Sequence, residues 1–510
     1  MSDGLPRVVA HRGVHGEPDG PRENTLAAVR AALDAGVEWI EIDVRVCRDG
    51  AVVLLHDPTL ARLWGDPRAV VDVPWEEVRT LGGGDRRVPL LREALDLVAG
   101  TGATLLVDVD DPEVALPAAH VVAQGPADAR TAWCGHPESM RRVREVVPDA
   151  AIWTPWYAVE PPTPEELDGV ALVNAQHLLV GEVFVAAVHA AGAEVAVWTV
   201  DDAAQAAHLA RIGVDSITTN DVVTVRRAVQ EGTVDERARQ AAVAFELAQH
   251  AAEATAAARR DGVRTVETKS GPADHVTEVD RDIEHWVRAV LTAQFPDHDV
   301  VGEEFGGTGS GERPCWYLDP IDGTANLANG FPWTSFSLAL VEGGRPVVGV
   351  VLDPVADGDA GPVPVLAVAG RGVTRAGQPV SAPPSTGPDP LAGAMAVTEL
   401  DGARAWQGLH ELLDALGRRH CTLRIPGSGT ASLAGVALGR GVAAIVHRYS
   451  PLDHGAAALV VAEAGGTVLD GTGRPSLHPV GGPIVVGADE RAARALWREW
   501  YEARALTLGL

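Results

Sequence analysis

Along residues 7–219, short apolar runs recur with amphipathic segments between them, the alternation produced by a parallel sheet with crossover helices. The runs read as strands at Val8–Ala10, Trp39–Val44, Ala51–Leu55, Thr104–Val107, Thr131–Trp133, Ala151–Trp153, Ala171–Val173, Val195–Thr199 and Ser216–Thr218. Between the first two, Leu26, Val29 and Leu33 share one face of a helix over Asn24–Ala35 that Gly36 stops. About eight βα units in roughly 230 residues predict a (βα)8 TIM barrel, an α/β domain over residues 1–230. Residues 57–90, rich in Pro, Gly and Asp, read as an excursion from the barrel.

Past residue 230 the rhythm changes. An alanine-rich helical stretch, Asp235–Arg260, opens a second domain over 231–510. A helix at Arg281–Gln294 places Ile283, Trp286, Val287, Val290 and Leu291 on one face. Strand-like runs follow at Trp316–Leu318, Ser335–Val341 and Val347–Leu352, then helices near Thr430–Leu438 and His454–Glu463. This is an α+β pattern of mixed layers, with 381–390 (SAPPSTGPDP) as a surface loop.

Composition narrows the function classes. The chain has 510 residues, 46% hydrophobic and 22% charged, enough to bury two cores. Seventy acidic residues against 42 basic give a formal charge of −28, which repels nucleic acid and anionic membranes. No apolar run reaches the ~18 residues of a spanning helix, and the start, MSDGLPRVVAHRG, lacks a basic-then-apolar leader. Neither an anchor nor a basic amphipathic stretch supports a membrane-bound lipase. Cys47, Cys134, Cys315 and Cys421 are scattered without a CxxC pair, so a reducing cytoplasm is expected. Lys269 is the one lysine among the 42 basic residues.

The first chemical constellation sits at strand ends. His11 follows the first strand, and Glu41 and Asp43 share one side of the second with Ile42 on the other. Two such carboxylates repel by roughly 4 kcal/mol at ~4 Å and an effective dielectric of ~20. A divalent cation such as Mg²⁺ or Ca²⁺ removes that penalty. His56 beside Asp57, and Asp108 at another strand end, complete a set suited to acid–base chemistry around a metal.

These residues resemble the glycerophosphodiester phosphodiesterase family. The likeness runs through HRG (11–13), ENT (23–25), GVEWIEIDVRVCRDG (36–50), HD (56–57), VPLLREAL (88–95), VAVWTV (195–200) and GVDSITTN (213–220). It implies that Glu41, Asp43 and Asp108 hold one divalent cation, Mg²⁺ or Ca²⁺, and that His11 and His56 are acid and base. It further implies that Arg12 grips phosphate and Trp198 lines the substrate pocket. The chain departs from the family at Asp108-Val109-Asp110, where Glu and, two positions later, Lys are usual, and at Arg22, where Pro usually precedes ENT.

A second constellation surrounds the lone lysine and continues downstream. ETKSGPADHVTEVDRDIE (267–284) contains Lys269 and Asp280, the latter at a helix start that favours a carboxylate. VGEEF (301–305), WYLDPIDGT (316–324) and PLDHGAAALVVAEAGG (451–466) supply Glu303, Asp319, Asp322 and Asp453. Asp319 and Asp322 are expected to leave a strand within one Pro-containing turn, with a carbonyl between them aimed at ions. Four carboxylates exceed what one ion neutralises, which favours two or more Mg²⁺ clamping a phosphoryl group.

These segments resemble the inositol monophosphatase family over roughly 235–490. The resemblance implies a layered αβαβα fold, with Glu303, Asp319, Asp322, Asp453 and the Ile321 carbonyl as metal ligands. It gives Asp280, Thr324 and Glu303 the positioning of attacking water, and Lys269, Gly323, Thr324, Gly427 and Ser428 to phosphate and substrate. A homodimer is implied in the same way. The departures lie on the substrate side: Ile445–Asp453 reads IVHRYSPLD, without the usual acidic residue and without Trp before Asp453.

A phosphodiesterase makes the monoester that a phosphomonoesterase consumes. The fusion is therefore expected to hydrolyse small-molecule phosphoesters in sequence, with glycerophosphoinositol the most economical substrate. The alternatives are two unrelated activities, or a barrel that only binds or regulates beside a phosphatase acting on an inositol, histidinol or nucleotide 3′-phosphate.

Overall fold

The structure is a computed structural model that describes residues 4–16, 20–263, 265–268, 275–355, 361–402 and 404–508. Contacts within it divide the chain into two units, Met1–Arg239 and Gln240–Leu510, with the division inside a helix, Glu236–Asp261.

In the first unit the apolar runs become β1 (Arg7–Ala10), β2 (Trp39–Val46), β3 (Val52–Leu54), β4 (Thr104–Val109) and β5 (Arg130–Gly135). They continue as β6 (Thr154–Trp156), β7 (Leu172–Gln176), β8 (Glu194–Trp198) and β9 (Ser216–Thr219). Eight of them pair in parallel in the order β5-β4-β2-β1-β9-β8-β7-β6. A parallel bridge between Trp133 and Ile152 brings the two ends together, so the sheet is the expected barrel. The run Ala151–Trp153 supplies only that bridge, and the strand proper begins at Thr154.

One predicted strand is not a barrel stave. β3 pairs antiparallel with β2, Val44 facing Leu54 and Val46 facing Val52. The link 47–51 forms a tight hairpin, whereas a parallel crossover needs about a dozen residues or more. The chain then enters the excursion, whose short helical turns bury Leu60, Val70, Val73, Val78 and Val88 against Cys47, Val53 and Leu55.

Outside the barrel, Ile42 and Val44 pack with Leu91, Leu95, Val107 and Ala118 in the layer between sheet and helices. Inside lie Val9, Leu106, Ala132, Cys134, Trp153, Leu172 and Ala196. The helix Leu26–Asp34 starts where Thr25 caps it, its hydroxyl accepting from the Ala28 N–H at 3.2 Å.

The second unit begins, after the long helix, with a hairpin of β10 (Val266–Thr268) and β11 (His275–Thr277). A seven-stranded sheet follows in chain order: β12 (Asp299–Gly302), β13 (Cys315–Asp322), β14 (Ser335–Glu342), β15 (Arg345–Asp353), β16 (Val363–Val368), β17 (Gly372–Arg375) and β18 (Gln378–Val380). A second sheet joins β19 (Met395–Thr398), β20 (Thr422–Arg424), β21 (Ala443–Val446), β22 (Thr467–Asp470) and β23 (Ile484–Gly487) in the order β20-β19-β21-β23-β22.

Helices Gly429–Ala437 and Pro451–Glu463 fill the space between the sheets. Leu433, Val436, Leu459 and Val460 meet Ala339 and Val351 on one side and Ala444 and Val486 on the other. Helices Leu409–Arg418 and Glu490–Leu508 cover the far face of the second sheet through Leu412, Leu416, Leu496 and Trp500. Helix Glu278–Gln294 packs on β12 and β13, which completes the expected αβαβα layering. Among the described residues no helix is long and apolar enough to cross a membrane.

One buried group makes the first unit acid-sensitive. His208, in the helix Ala203–Arg211, is 5% exposed. Burial, with the charges of Arg239 and Arg211, holds its pKa down at about 3 against 6.5 in the unfolded chain. Below pH 6.5 the unfolded chain therefore binds a proton that the folded one refuses, and stability falls with pH towards 3 by up to ~1.4 kcal/mol per unit. Denaturant titrations across this range are expected to show a shallower pH slope for His208→Gln than for the unaltered chain.

Candidate functional site

Period-two alternation and strand register converge at the mouth of the barrel. Asp43 on β2 faces Asp108 on β4, and Glu41 lies two residues back on the same side. One carboxylate oxygen from each of Glu41, Asp43 and Asp108 lies within 4.8 Å of the other two. Glu41 Oε1 and Asp108 Oδ1 are buried without a hydrogen-bond partner. Burial first, and then mutual repulsion, pushes the carboxyls of Glu41 and Asp108 well above the usual range. Asp110, exposed at the mouth, is the largest charge acting on Asp108.

Arg12 is the cation among these carboxylates. Its backbone N–H donates to Glu41 at 2.9 Å, its Nε is 3.1 Å from Asp43, and its Nη1 donates to Glu23 at 2.9 Å. Arg12 adopts φ 59°, and the next residue must be glycine: a Cβ on Gly13 would lie 2.6 Å from the Ala28 carbonyl carbon. Asn24 fixes Asp43 from the other side, donating to its carboxylate at 2.7 Å and accepting from its N–H at 3.1 Å.

Both predicted histidines are at this mouth. His11 Nε2 is 3.8 Å from Glu41, and its Nδ1 is 2.8 Å from Asn220 Oδ1. Burial, foremost, and the Arg12 charge keep its pKa below 6.5. His56 arrives by the antiparallel hairpin, since the Leu55 N–H donates to the Asp43 carbonyl at 3.1 Å and returns the chain to that level. Its Nδ1 is 2.8 Å from Asp57, whose carboxyl the Arg62 guanidinium holds down at about 2. Trp198 ends β8, half-buried. Arg22 lies over the Trp64 ring at 4.8 Å.

In the second unit the acidic set is assembled by four elements. β13 does not end before a turn, as the Pro-containing segment predicts. It runs through Pro320 to Asp322, with a bulge between Asp319 and Asp322 in its pairing with β14. The bulge lets Asp319 fold back to accept from the Ile321 N–H at 3.0 Å. Glu303 follows β12, its N–H donating to the Leu318 carbonyl at 3.1 Å. The buried Glu284 fixes that loop by accepting from the N–H groups of Glu304 and Phe305 at 2.8 and 3.0 Å. Asp453 sits in the first turn of helix Pro451–Glu463.

Burial, followed by repulsion from Glu303, Asp453 and Asp322, drives the Asp319 carboxyl well up. Burial and Asp453 raise Asp322 to about 6. Among the described residues, three-way convergence within 4.8 Å occurs in the barrel trio alone. In the second set, Glu303 is the largest charge acting on Asp319.

Thr324 Oγ1 lies 2.9 Å from both Asp280 Oδ1 and the Ile321 carbonyl. Asp280 is in turn held by the N–H and hydroxyl of Thr277, which sets the helix three residues longer at its start than the apolar pattern alone marks. Gly323 has φ 96°, and a Cβ there would be 2.9 Å from the Gly427 carbonyl, so the two loops can close. The Gly427 N–H is given to Glu399 at 2.8 Å, and the Ser428 hydroxyl to Asp322 at 2.8 Å. Both residues thus brace the acidic set. Lys269 lies outside the described residues. A cavity of about 450 Å³ opens beside Asp322 and Asp453, walled by Glu399, Gly427, His447 and Arg448.

Both donor sets are hard oxygen atoms, the barrel's Glu41 and Asp43 and the second set's Asp319 being buried, and such donors suit Mg²⁺ or Ca²⁺. Sequence reasoning did not single out Asn24, Asn220, Asp201, Glu284 or Glu399. Asn24 and Asn220 stand inside the quoted segments ENT and GVDSITTN, but their partners are distant in the chain.

Comparison with known proteins divides the chain in the same way. Residues 236–501 match the inositol monophosphatase family and residues 11–224 the glycerophosphoryl diester phosphodiesterase family. Inositol monophosphatase 2 of Solanum lycopersicum is 34% identical over 212 residues, 40% of this chain and 77% of its own length. A fructose-1,6-bisphosphatase/inositol-1-monophosphatase of Aquifex aeolicus is 46% identical over 89 residues, 18% of this chain and only 34% of its own length. A solved Oleispira antarctica phosphodiesterase in complex with the product sn-glycerol-3-phosphate is 23% identical, covering 44% of this chain and 97% of that one, with a TM-score of 0.41.

Neutralising Glu41 removes a buried charge that repels Asp43 and Asp108. In chelator, Glu41→Gln is expected to stabilise the protein by roughly 1–3 kcal/mol. With cation at a hundredfold over its dissociation constant, the unaltered chain gains ~2.7 kcal/mol and the variant gains little. Denaturation with EDTA and with Mg²⁺ reads both effects.

Proposed function

The chain belongs to the inositol monophosphatase family through its second half, and from that premise we propose that it is a two-step, metal-dependent phosphoester hydrolase. Both matched families are phosphoesterases. In this reading the barrel, 1–230, hydrolyses a glycerophosphodiester to an alcohol and a phosphomonoester. The second domain, 231–510, hydrolyses a monoester such as an inositol phosphate or another polyol phosphate. The observation that carries the reading is a set of mutually repelling carboxylates in each unit, gathered around the buried Glu41 and Asp43 in one and the buried Asp319 in the other.

In the barrel, Glu41, Asp43 and Asp108 would hold one Mg²⁺ or Ca²⁺. In the second domain, Glu303, Asp319, Asp322, Asp453 and the Ile321 carbonyl would hold two or more Mg²⁺. Bound cations supply charge neutralisation at the phosphoryl oxygens. The remaining work falls to side chains. His11, held neutral by its surroundings, takes a proton at Nε2 from the attacking group. His56, oriented by Asp57, returns a proton to the leaving alkoxide. Arg12 presents its guanidinium to the phosphate and Trp198 lines the pocket.

In the phosphatase, the Asp280–Thr324 pair and Glu303 orient a water for attack at phosphorus. Gly323 and Thr324 offer backbone N–H groups to the phosphate, with Lys269 as a further cation. The cavity of about 450 Å³ is large enough for a ring-sized alcohol with its phosphate. We place the protein in the cytoplasm, where its four free cysteines stay reduced, and expect it to form a homodimer.

A second reading has a specific observation behind it. Asp110 adds a negative charge at the mouth of the barrel, where an anionic diester must enter. On that reading the barrel binds or senses its ligand, and only the phosphatase turns over.

Two variants separate these readings. With Mg²⁺ and a panel including glycerophosphoinositol, His11→Ala is expected to slow diester cleavage by about 10²–10⁴ and leave added monoesters hydrolysed normally. Asp319→Asn is expected to cleave the diester and accumulate the monoester, detected by product identification. An unaltered protein that releases nothing from any glycerophosphodiester while hydrolysing monoesters would leave only the second reading standing.

A further inference from the structure

We propose that Asp201 and Asn220 are positioning residues that fix which ring nitrogen of His11 carries its proton. The inference rests on the reading of His11 as the barrel's acid–base group.

Three neighbouring strands bring the residues together. β1, β9 and β8 are adjacent in the ring, with Ala10 beside Thr219 and Val197 beside Ile217. His11 and Asn220 are the first residues beyond β1 and β9, and the His11 N–H continues the ladder to the Thr219 carbonyl at 2.9 Å. Asp201 follows three residues after the end of β8. The chain separation between His11 and Asn220 is 209 residues, so only closure of the ring unites them.

The hydrogen bonds leave one arrangement. Asp201 Oδ2 accepts from Asn220 Nδ2 at 2.7 Å. Asp201 Oδ1 accepts from the Asn220 backbone N–H at 2.7 Å and from the Thr219 hydroxyl at 3.0 Å. Three donors hold this carboxylate in place although it is exposed at the rim. A carboxylate only accepts, so the amide of Asn220 must turn its NH₂ to Asp201 and its oxygen to His11. That oxygen, 2.8 Å from His11 Nδ1, also only accepts, so Nδ1 carries the hydrogen. A neutral imidazole has one N–H. Its basic lone pair is then on Nε2, the atom 3.8 Å from Glu41 and facing the carboxylate trio.

Without this chain of bonds the ring could hold its proton on Nε2, the form a free imidazole prefers, and the basic nitrogen would face away from the reaction. Replacing Asp201 by asparagine has that effect with almost no change in shape, because an amide partner accepts or donates and lets Asn220 turn over. Asn220→Ala removes the acceptor altogether.

The test uses full-length protein with Mg²⁺ and ¹⁵N-labelled histidine, in long-range ¹⁵N–¹H correlation spectra that distinguish the two tautomers. His11 is identified by the signals missing in His11→Asn. The expected result is the Nδ1–H form in the unaltered protein and a mixture or reversal in Asp201→Asn and Asn220→Ala. With a glycerophosphodiester, kcat is expected to fall about a hundredfold in both, with KM within about threefold. Unchanged ¹⁵N signals of the barrel's other histidines report that the barrel of each variant is folded. An Nε2–H form in the unaltered protein, or an Nδ1–H form that persists in both variants, overturns the proposal. A His11→Asn variant that cleaves diester at full rate overturns the acid–base reading instead, while the spectra still decide the tautomer.

Discussion

Like charges buried together are the constraint on which both units turn. A carboxylate in a low-dielectric interior is costly, and two or three of them in contact are costlier still. Glu41 and Asp108 in one unit, and Asp319 and Asp322 in the other, are pushed towards protonation by burial and by the charges of neighbouring carboxylates. Much of the surrounding structure exists to hold that unfavourable arrangement. Arg12 in a left-handed conformation, Gly13 against Ala28, Asn24 on Asp43 and Glu284 beneath the Glu303 loop all restrict carboxylates that would otherwise turn towards water.

The two units reach this state by different local physics. In the barrel, strand alternation points Glu41 and Asp43 inward, and register adds Asp108 from the next stave. The hairpin of β3 then supplies His56 without using a stave. In the layered unit no single strand could present so many acids on one side. A bulge at Pro320 rotates Asp319 and Asp322 into the same space, while a helix start delivers Asp453 and a capped helix delivers Asp280. Helix N-termini favour such anions, which partly offsets their burial.

These differences fit a division of chemical labour. The barrel places His11 beside its carboxylate trio and His56 against Asp57. The layered unit has no histidine among its proposed ligands and relies on more carboxylates and the Asp280–Thr324 pair. Under the proposed function, the joining of the two in one chain gives the product of the first reaction a consumer at equimolar abundance.

Much of this was legible before any coordinates. Periodicity marked the βα alternation of the barrel, most of its staves and the inward pair Glu41 and Asp43, because side-chain direction in a strand is set by neighbouring residues alone; the αβαβα layering came from the family resemblance. Motif order and the family resemblance named Asp319, Asp322 and Asp453. The tertiary structure alone decided that β3 folds back on β2, that β13 continues through Pro320, and that Gly427 and Ser428 brace Glu399 and Asp322. It alone brought Asn220 to His11 and Asn24 to Asp43. Those are pairings between residues distant along the chain, fixed by ring closure and sheet register, and no local pattern encodes the distance between two ends of a closed sheet.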